Sequence, residues 1–412
     1  MFQISQDFAP PFKLIAPFFI IGSFFYLFSS VFLFGFDGES LSVMNPTVIA
    51  FAHLFLLGFV MMIIFGAMAQ LVPVVLEVGH FAVELFYAIW PLLLIGTLLM
   101  IGGFLYAPAL LPYGGMIVLI SMMIFVVEIF LTMKQVKKLN IVMTSVLLSN
   151  TFLFMGIIVG LVMALGYAGE IDVDIASLLT SHIYFVVGGY VSITLMGLSV
   201  VLLPMFGLSH GFSLKPLEVA LYMMSTSVMI VFLDALFSFS SIVSYIGYLL
   251  SIVAMGIYFY QVYTIFKTRA RKENDIYVKS LFFAYLSLIA ALVLIALYFL
   301  SSYEPLLLAG GWLIVYGLFA FAITGHIYKI IPFLVWFERF SPLVGKQKVP
   351  MLADMLPPKS SEAQFIFSAL GVIVVAVALI LQNTQLLHAG ASFLVVGALA
   401  FIRSVFYMIN FK

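Results

Sequence analysis

Cysteine is absent from the 412 residues. No disulfide, thiolate metal site, cysteine-ligated iron–sulfur cluster or covalently attached c-type haem can form, and any bound metal or haem iron would need His, carboxylate or thioether ligands. Charge is nearly as scarce. Charged residues make up 8% of the chain and cancel formally to +0 at pH 7. There is no exposed basic domain to grip a phosphate backbone, so nucleic acid is not expected as a partner. HExxH, G-x-S-x-G and P-loop patterns are also missing, which weakens peptidase, serine-hydrolase and ATPase readings.

Apolar residues dominate: 65% of the chain is hydrophobic and the mean hydropathy is +1.26, far outside the range of soluble domains. Twelve apolar runs are predicted as helices at 13–35, 46–76, 84–106, 110–133, 142–166, 175–205, 217–238, 242–266, 277–300, 306–336, 364–382 and 386–408. Most exceed the ~20 residues that cross a bilayer. In lipid the backbone must satisfy its own hydrogen bonds, so runs of this length are helices and not barrel strands. The expected class is an all-α integral membrane protein, with residues 1–412 as one transmembrane bundle.

The sequence also repeats. Gly-x7-Gly-x6-Pro occurs as Gly58–Gly66–Pro73, Gly189–Gly197–Pro204 and Gly317–Gly325–Pro332, with starts 131 and 128 residues apart. Long-period self-similarity is an architectural signal. It divides the twelve spans into units at about 13–133, 142–266 and 277–408, with the motif on the second span of each. Three pseudo-symmetric four-helix arcs around an axis along the membrane normal are expected. Glycines eight apart share a helix face and admit close packing. Each proline frees a carbonyl one turn back, that of Ala69, Val200 or Tyr328.

Basic residues set the orientation. With the N-terminus inside, all 17 Lys and Arg fall in inner loops, at inner helix ends or in termini, clustering at Lys134, Lys137 and Lys138, at 267–279 and at 339–359. The outer loops hold Asp37, Glu39, Glu170, Asp172, Asp174 and Glu304 and no cation. Both termini are therefore expected in the cytoplasm and the protein in the cell membrane, its partner the lipid bilayer. The start, MFQISQDFAPPFK, has an acid and a Pro pair where a cleavable signal would be basic. The inner loop at 337–363, rich in Pro and Lys, is expected to lie over the inner face.

Few polar residues interrupt the spans. His53 stands 20 residues before Pro73 and His182 stands 22 before Pro204, ~30 Å from the inner prolines at helical rise and near the outer third of the bilayer. His388 begins the last span at the same level, whereas the third motif has Trp312 at the outer position and His326 near its proline. A buried ring in hydrocarbon must be paired, either as a functional group or by a neighbouring carbonyl or hydroxyl. His80 and His210, with Arg339 at the matching place, are expected to anchor at the inner interface, and Glu128 is expected to reach that interface toward Lys134. Lys329 is expected to snorkel to the inner surface. Asp234, deep in the seventh span with no basic neighbour, is expected to be protonated, to accept hydrogen bonds or to form part of a proton or ion path.

Twelve helices in three arcs, with His53 inside NPTVIAFAHLFLLGFVMMIIFGAMAQLVPVV, resemble the haem-copper oxidase catalytic-subunit superfamily. GHIYKIIPFLVWFERF, followed by a basic loop, resembles its standalone relatives, among them NnrS-like membrane proteins. The topological resemblance covers the whole chain. The motif resemblance is specific for the second span and moderate for the sixth and tenth. It implies that His53 is an axial ligand of one haem b, either with His182 or His388 as the second ligand or alone with an open iron position that could bind a small gas, serving electron transfer, gas handling or respiratory-enzyme maturation beside respiratory or redox partners.

The departures are chemical. Residues 217–238 carry none of the copper-binding histidines, the tenth span has Trp312 in place of haem ligands, and the His-x3-Tyr pairing is missing, since Phe185 and Val186 follow His182-Ile-Tyr184. No copper centre is expected, and the chain is not expected to be a complete terminal oxidase. The alternative from another class is a cofactor-free membrane transporter or channel, since repeats with Gly/Pro-broken helices suit transporters.

Overall fold

A computed structural model describes residue 8, residues 10–137 and residues 139–412, with Ser241 described by its backbone alone. Most of the N-terminal stretch read for a signal, and Lys138 of the first basic cluster, lie outside the described residues.

Among the described residues, twelve helices are long and apolar enough to cross a membrane: α1 (Phe12–Gly35), α2 (Pro46–Leu76), α3 (Val83–Leu105), α4 (Pro108–Met133), α5 (Ile141–Tyr167), α6 (Ile175–Gly207), α7 (Lys215–Phe237), α8 (Ile242–Lys267), α9 (Ile276–Ser301), α10 (Glu304–Arg339), α11 (Pro358–Leu381) and α12 (Thr384–Ile409). No strand occurs among the described residues. Short polar side chains start several of them: Asn45 accepts from the Thr47 N–H (2.9 Å), Asn140 from Met143 (3.0 Å), Asp275 from Val278 (3.1 Å) and Asn383 from Leu386 (2.8 Å). Each satisfies a donor that the first turn leaves unpaired.

The motif helices share one build. In α2, α6 and α10 an α-helical start gives way to a π-helical segment, Leu56–Met61, Tyr184–Ser192 and Leu313–Phe319 respectively, before α-helix resumes. The first motif glycine falls within each π segment, and the second glycine and the proline lie in the α-helix that follows. The glycines face the preceding helix. A β-carbon on Gly58 would collide with the Phe25 ring of α1, on Gly189 it would come 2.5 Å from Phe152 of α5, and on Gly317 2.5 Å from Ser287 of α9. A β-carbon on the second glycines would meet Phe18 at 2.7 Å, overlap the Ser145 hydroxyl, and meet Ser280 at 2.9 Å. Partner positions on the preceding helix are seven apart in every copy, so one helix-pair geometry is used three times.

Each repeat also ends in a tight pair. Gly96 packs on Gly114 and Val118 in α3–α4, Gly247 on Val231 in α7–α8, and Gly371 on Gly390 and Leu394 in α11–α12. Hydroxyls pin these pairs: Ser121 donates to the Ile89 carbonyl (2.8 Å), Ser227 to the Gly247 carbonyl (2.6 Å), and Ser360 bonds Ser404 (2.5 Å).

The compact units cut across the repeats. One comprises residues 70–103 and 107–273, the other residues 10–69, 104–106 and 274–412. In the first, α6 packs against α5, α7 and α8. In the second, α10 packs against α9, α11 and α12, and α1 packs against α2 and α12.

The loop expected at 337–363 is shorter, because α10 runs to Arg339 and α11 begins at Pro358. It folds back on α10: the Trp336 Nε1–H donates to the Pro350 carbonyl (2.8 Å) and Met355 is buried.

Candidate functional site

In the second unit α2 meets α10 through aromatic rings. Phe51 stacks on Trp312 and Tyr316 at 6.0 Å, Phe55 lies 4.4 Å from Tyr316, and Trp312 stacks on Tyr316 at 4.5 Å. Tyr26 of α1 closes the group, 5.5 Å from Tyr316 and 4.9 Å from Phe59. The indole N–H of Trp312 donates to the Val372 carbonyl at 2.9 Å. At ~100° per residue, His53 lies across the helix from the face carrying Phe51 and Phe55. Its ring sits 5.0 Å from Phe104, and its Nδ1 lies 2.8 Å from the Ile49 carbonyl one turn back. The residues between α2 and α10 therefore do not fit a haem clamped by those two helices, because aromatic side chains fill that gap.

The other sequence candidates also bond to carbonyls. His182 Nδ1 lies 3.0 Å from the Gly156 carbonyl of α5, and His388 Nε2 lies 3.2 Å from the Phe36 carbonyl beyond α1. His388 and His53 thus find backbone partners at different places in the second unit, and His182 finds its own in the first. Donation from Nδ1 leaves the imidazole lone pair on Nε2, the tautomer that a metal-ligating His commonly uses. No group of three or more His, Asp or Glu side chains able to hold a metal occurs among the described residues.

Two expectations are corrected at the basic-loop ends, those for Glu128 and His80. Glu128 does not reach an interface: its side chain is fully buried, and Oε1 accepts from His80 Nδ1 (2.9 Å), the Phe81 N–H (3.1 Å) and the Thr132 hydroxyl (2.7 Å). His80 is correspondingly an internal partner and not a surface anchor. Lys329 pairs with Asp275 at 2.5 Å, so its ammonium is held by the start of α9. His210 and Arg339 are exposed. His326 bonds the Ala322 carbonyl at 2.7 Å and faces the Tyr277 hydroxyl at 3.4 Å.

The first unit holds a polar pocket of about 330 Å³ lined in part by Ser177, Thr180, Asp234, Ser240, Ser244 and Tyr248. Asp234 lies three residues from the end of α7, shallower than the sequence suggested. It accepts from the Ser240 N–H at 3.1 Å and from the Ser244 hydroxyl. Further along α5 and α6, Asn150 Oδ1, Ser181 Oγ and Thr194 Oγ1 are buried with no hydrogen-bond partner among the described residues. Sequence reasoning passed over these three because isolated Ser, Thr and Asn are common in membrane helices and usually bond their own backbone.

The acidic loops are electrostatically ordered. The Ser177 hydroxyl, helped by the Ser177 and Ala176 N–H groups, holds the Asp174 carboxyl below its ordinary pKa at the start of α6. The Glu39 N–H, Thr384 and Ser40 do the same for Asp37. Compared with known proteins, the chain matches no family model and no curated sequence.

Proposed function

We propose that this chain is a multi-pass protein of the cell membrane, with both termini in the cytoplasm, that passes a small monovalent cation through its first unit without a cofactor. The observation that carries this reading is the Asp234 pocket, where a carboxylate stands among hydroxyls at the acidic-loop end of α6 and α7. A carboxylate with hydroxyl neighbours suits a hard cation. The loop that leads into α6 in the same unit carries Glu170, Asp172 and Asp174 and no Lys or Arg, a field that concentrates cations at the mouth. Buried polar oxygens without partners are costly in hydrocarbon and mark routes for water or ions. Asn150, Ser181 and Thr194 supply such oxygens along the same unit. Uptake of a monovalent cation into vesicles containing wild type or Asp234→Asn tests the reading.

A second reading follows from the oxidase-like resemblance: one haem b on the Phe104 side of α2, with His53 as its sole protein ligand, serving electron transfer or gas handling with respiratory partners. The specific observation in its favour is the Nδ1–Ile49 bond, which leaves Nε2 as the donor nitrogen. Haem would supply a redox-active, gas-binding iron. Colour separates the readings: a Soret band and a pyridine haemochrome in purified protein, both lost in His53→Ala, would favour the second.

A further inference from the structure

The segment joining α10 to α11 is both basic and apolar on its exposed side. Arg339, Lys346, Lys348 and Lys359 are exposed, and so are Val344, Met351 and Leu352. The acids nearby are occupied elsewhere. Glu338 accepts from the Phe12 N–H (2.8 Å), Asp354 from the Met351 N–H (2.9 Å), and Glu362 pairs with Lys279 (2.7 Å). None of the four cations has a carboxylate partner among the described residues. The segment does not hang free, because Trp336 holds Pro350 and Met355 is buried. Its cations are thus presented on an anchored strap between the ends of two membrane-spanning helices.

We infer that this strap is a docking surface for anionic phospholipid headgroups of the membrane in which the protein sits. The argument is charge complementarity at a fixed depth. Residues 339–359 connect two spans and so lie at the bilayer surface, where lipid phosphates are the nearest dense anions. Val344, Met351 and Leu352 suit the apolar boundary beneath those phosphates, and the lysine stems reach across it. A soluble acidic protein would meet the same cations without needing the exposed apolar residues.

The test uses the full chain in nanodiscs, with phosphatidylglycerol as probe, phosphatidylcholine as neutral lipid and inorganic phosphate as a free-anion arm. Native mass spectrometry reads the phosphatidylglycerol retained by wild type, by Lys346→Gln/Lys348→Gln/Lys359→Gln, and by Lys267→Gln/Lys272→Gln at a different basic cluster. A basic residue near an anionic surface contributes about fivefold in affinity. The triple variant should therefore lose about a hundredfold, the control pair should retain its lipid, and free phosphate should not compete at equal concentration. All three substituted lysines are exposed, so the fold is expected to survive; the wild-type preference should in addition weaken as salt is raised. Equal retention by wild type and the triple variant, displacement by free phosphate, or loss confined to the control pair would overturn the inference.

Discussion

Gly197 of α6 lies so close to Ser145 of α5 that a β-carbon added there would stand 2.5 Å from the serine β-carbon. Two helices are held at a distance that only hydrogen permits. Gly197→Ala is expected to destabilise the protein by about 1–3 kcal/mol through overpacking. Ser145→Gly in the same chain should recover most of the loss, because it removes the atoms that collide. Thermal unfolding in detergent across the double-mutant cycle checks this, and strict additivity of the two changes would count against the packing account.

That contact marks what could be read from the chain. The spacing of Gly58, Gly189 and Gly317 marked three helices of the same local build, because steric demand for glycine leaves a trace in sequence. The π segments around those glycines left none, since the wider turn is decided by packing against the preceding helix and not by local propensity. All twelve spans were legible from hydropathy, with ends displaced by several residues at α11, where Pro358 and Lys359 begin the helix in spite of their polarity. The division into two compact units that cut across the repeats was invisible, because it depends on which faces meet. At the site, Asp234 stood out as an acid in an apolar run. Its partners Ser240 and Ser244 did not, since a turn beyond α7 brings them back. Glu128 was misread for the same reason: its partner His80 is 48 residues away in sequence.

The Glu128 cluster predicts a large stability effect. Glu128→Ala removes the acceptor of His80, Phe81 and Thr132 at once. Breaking such a buried arrangement costs about 3–5 kcal/mol. Glu128→Gln keeps an acceptor and should cost less. Unfolding midpoints of the two variants measured side by side check the ordering, and an alanine variant as stable as wild type would contradict it.

Trp312→Phe should keep the stack on Tyr316 while losing the indole bond to Val372. The expected loss is about 0.5–1.5 kcal/mol. Trp312→Ala should cost about 3–5 kcal/mol, because the aromatic group between α2 and α10 loses its largest ring. Denaturation of both variants distinguishes a bond from a packing role.

Asp174 makes stability depend on pH. Its folded pKa lies below the unfolded one, chiefly through the Ser177 hydroxyl and then the Ser177 N–H. Its contribution is therefore fully present above the unfolded value of about 3.9 and is lost as pH falls through the lowered folded value. The difference in unfolding midpoint between wild type and Asp174→Asn should be largest near neutral pH and shrink on acidification toward about pH 3. A difference that grows with acid would reverse the sign of the account.

Cation movement through the first unit is tested most directly by uptake of radiolabelled rubidium into vesicles holding a purified, correctly folded protein. Wild type should load the vesicles faster than protein-free controls. Asp234→Asn, which keeps the shape of the pocket and removes its charge, should fall about tenfold or more, the scale of one lost charge–cation contact of about 1.4 kcal/mol. Wild-type uptake no faster than the empty vesicles, or uptake unchanged in Asp234→Asn, would contradict the proposal.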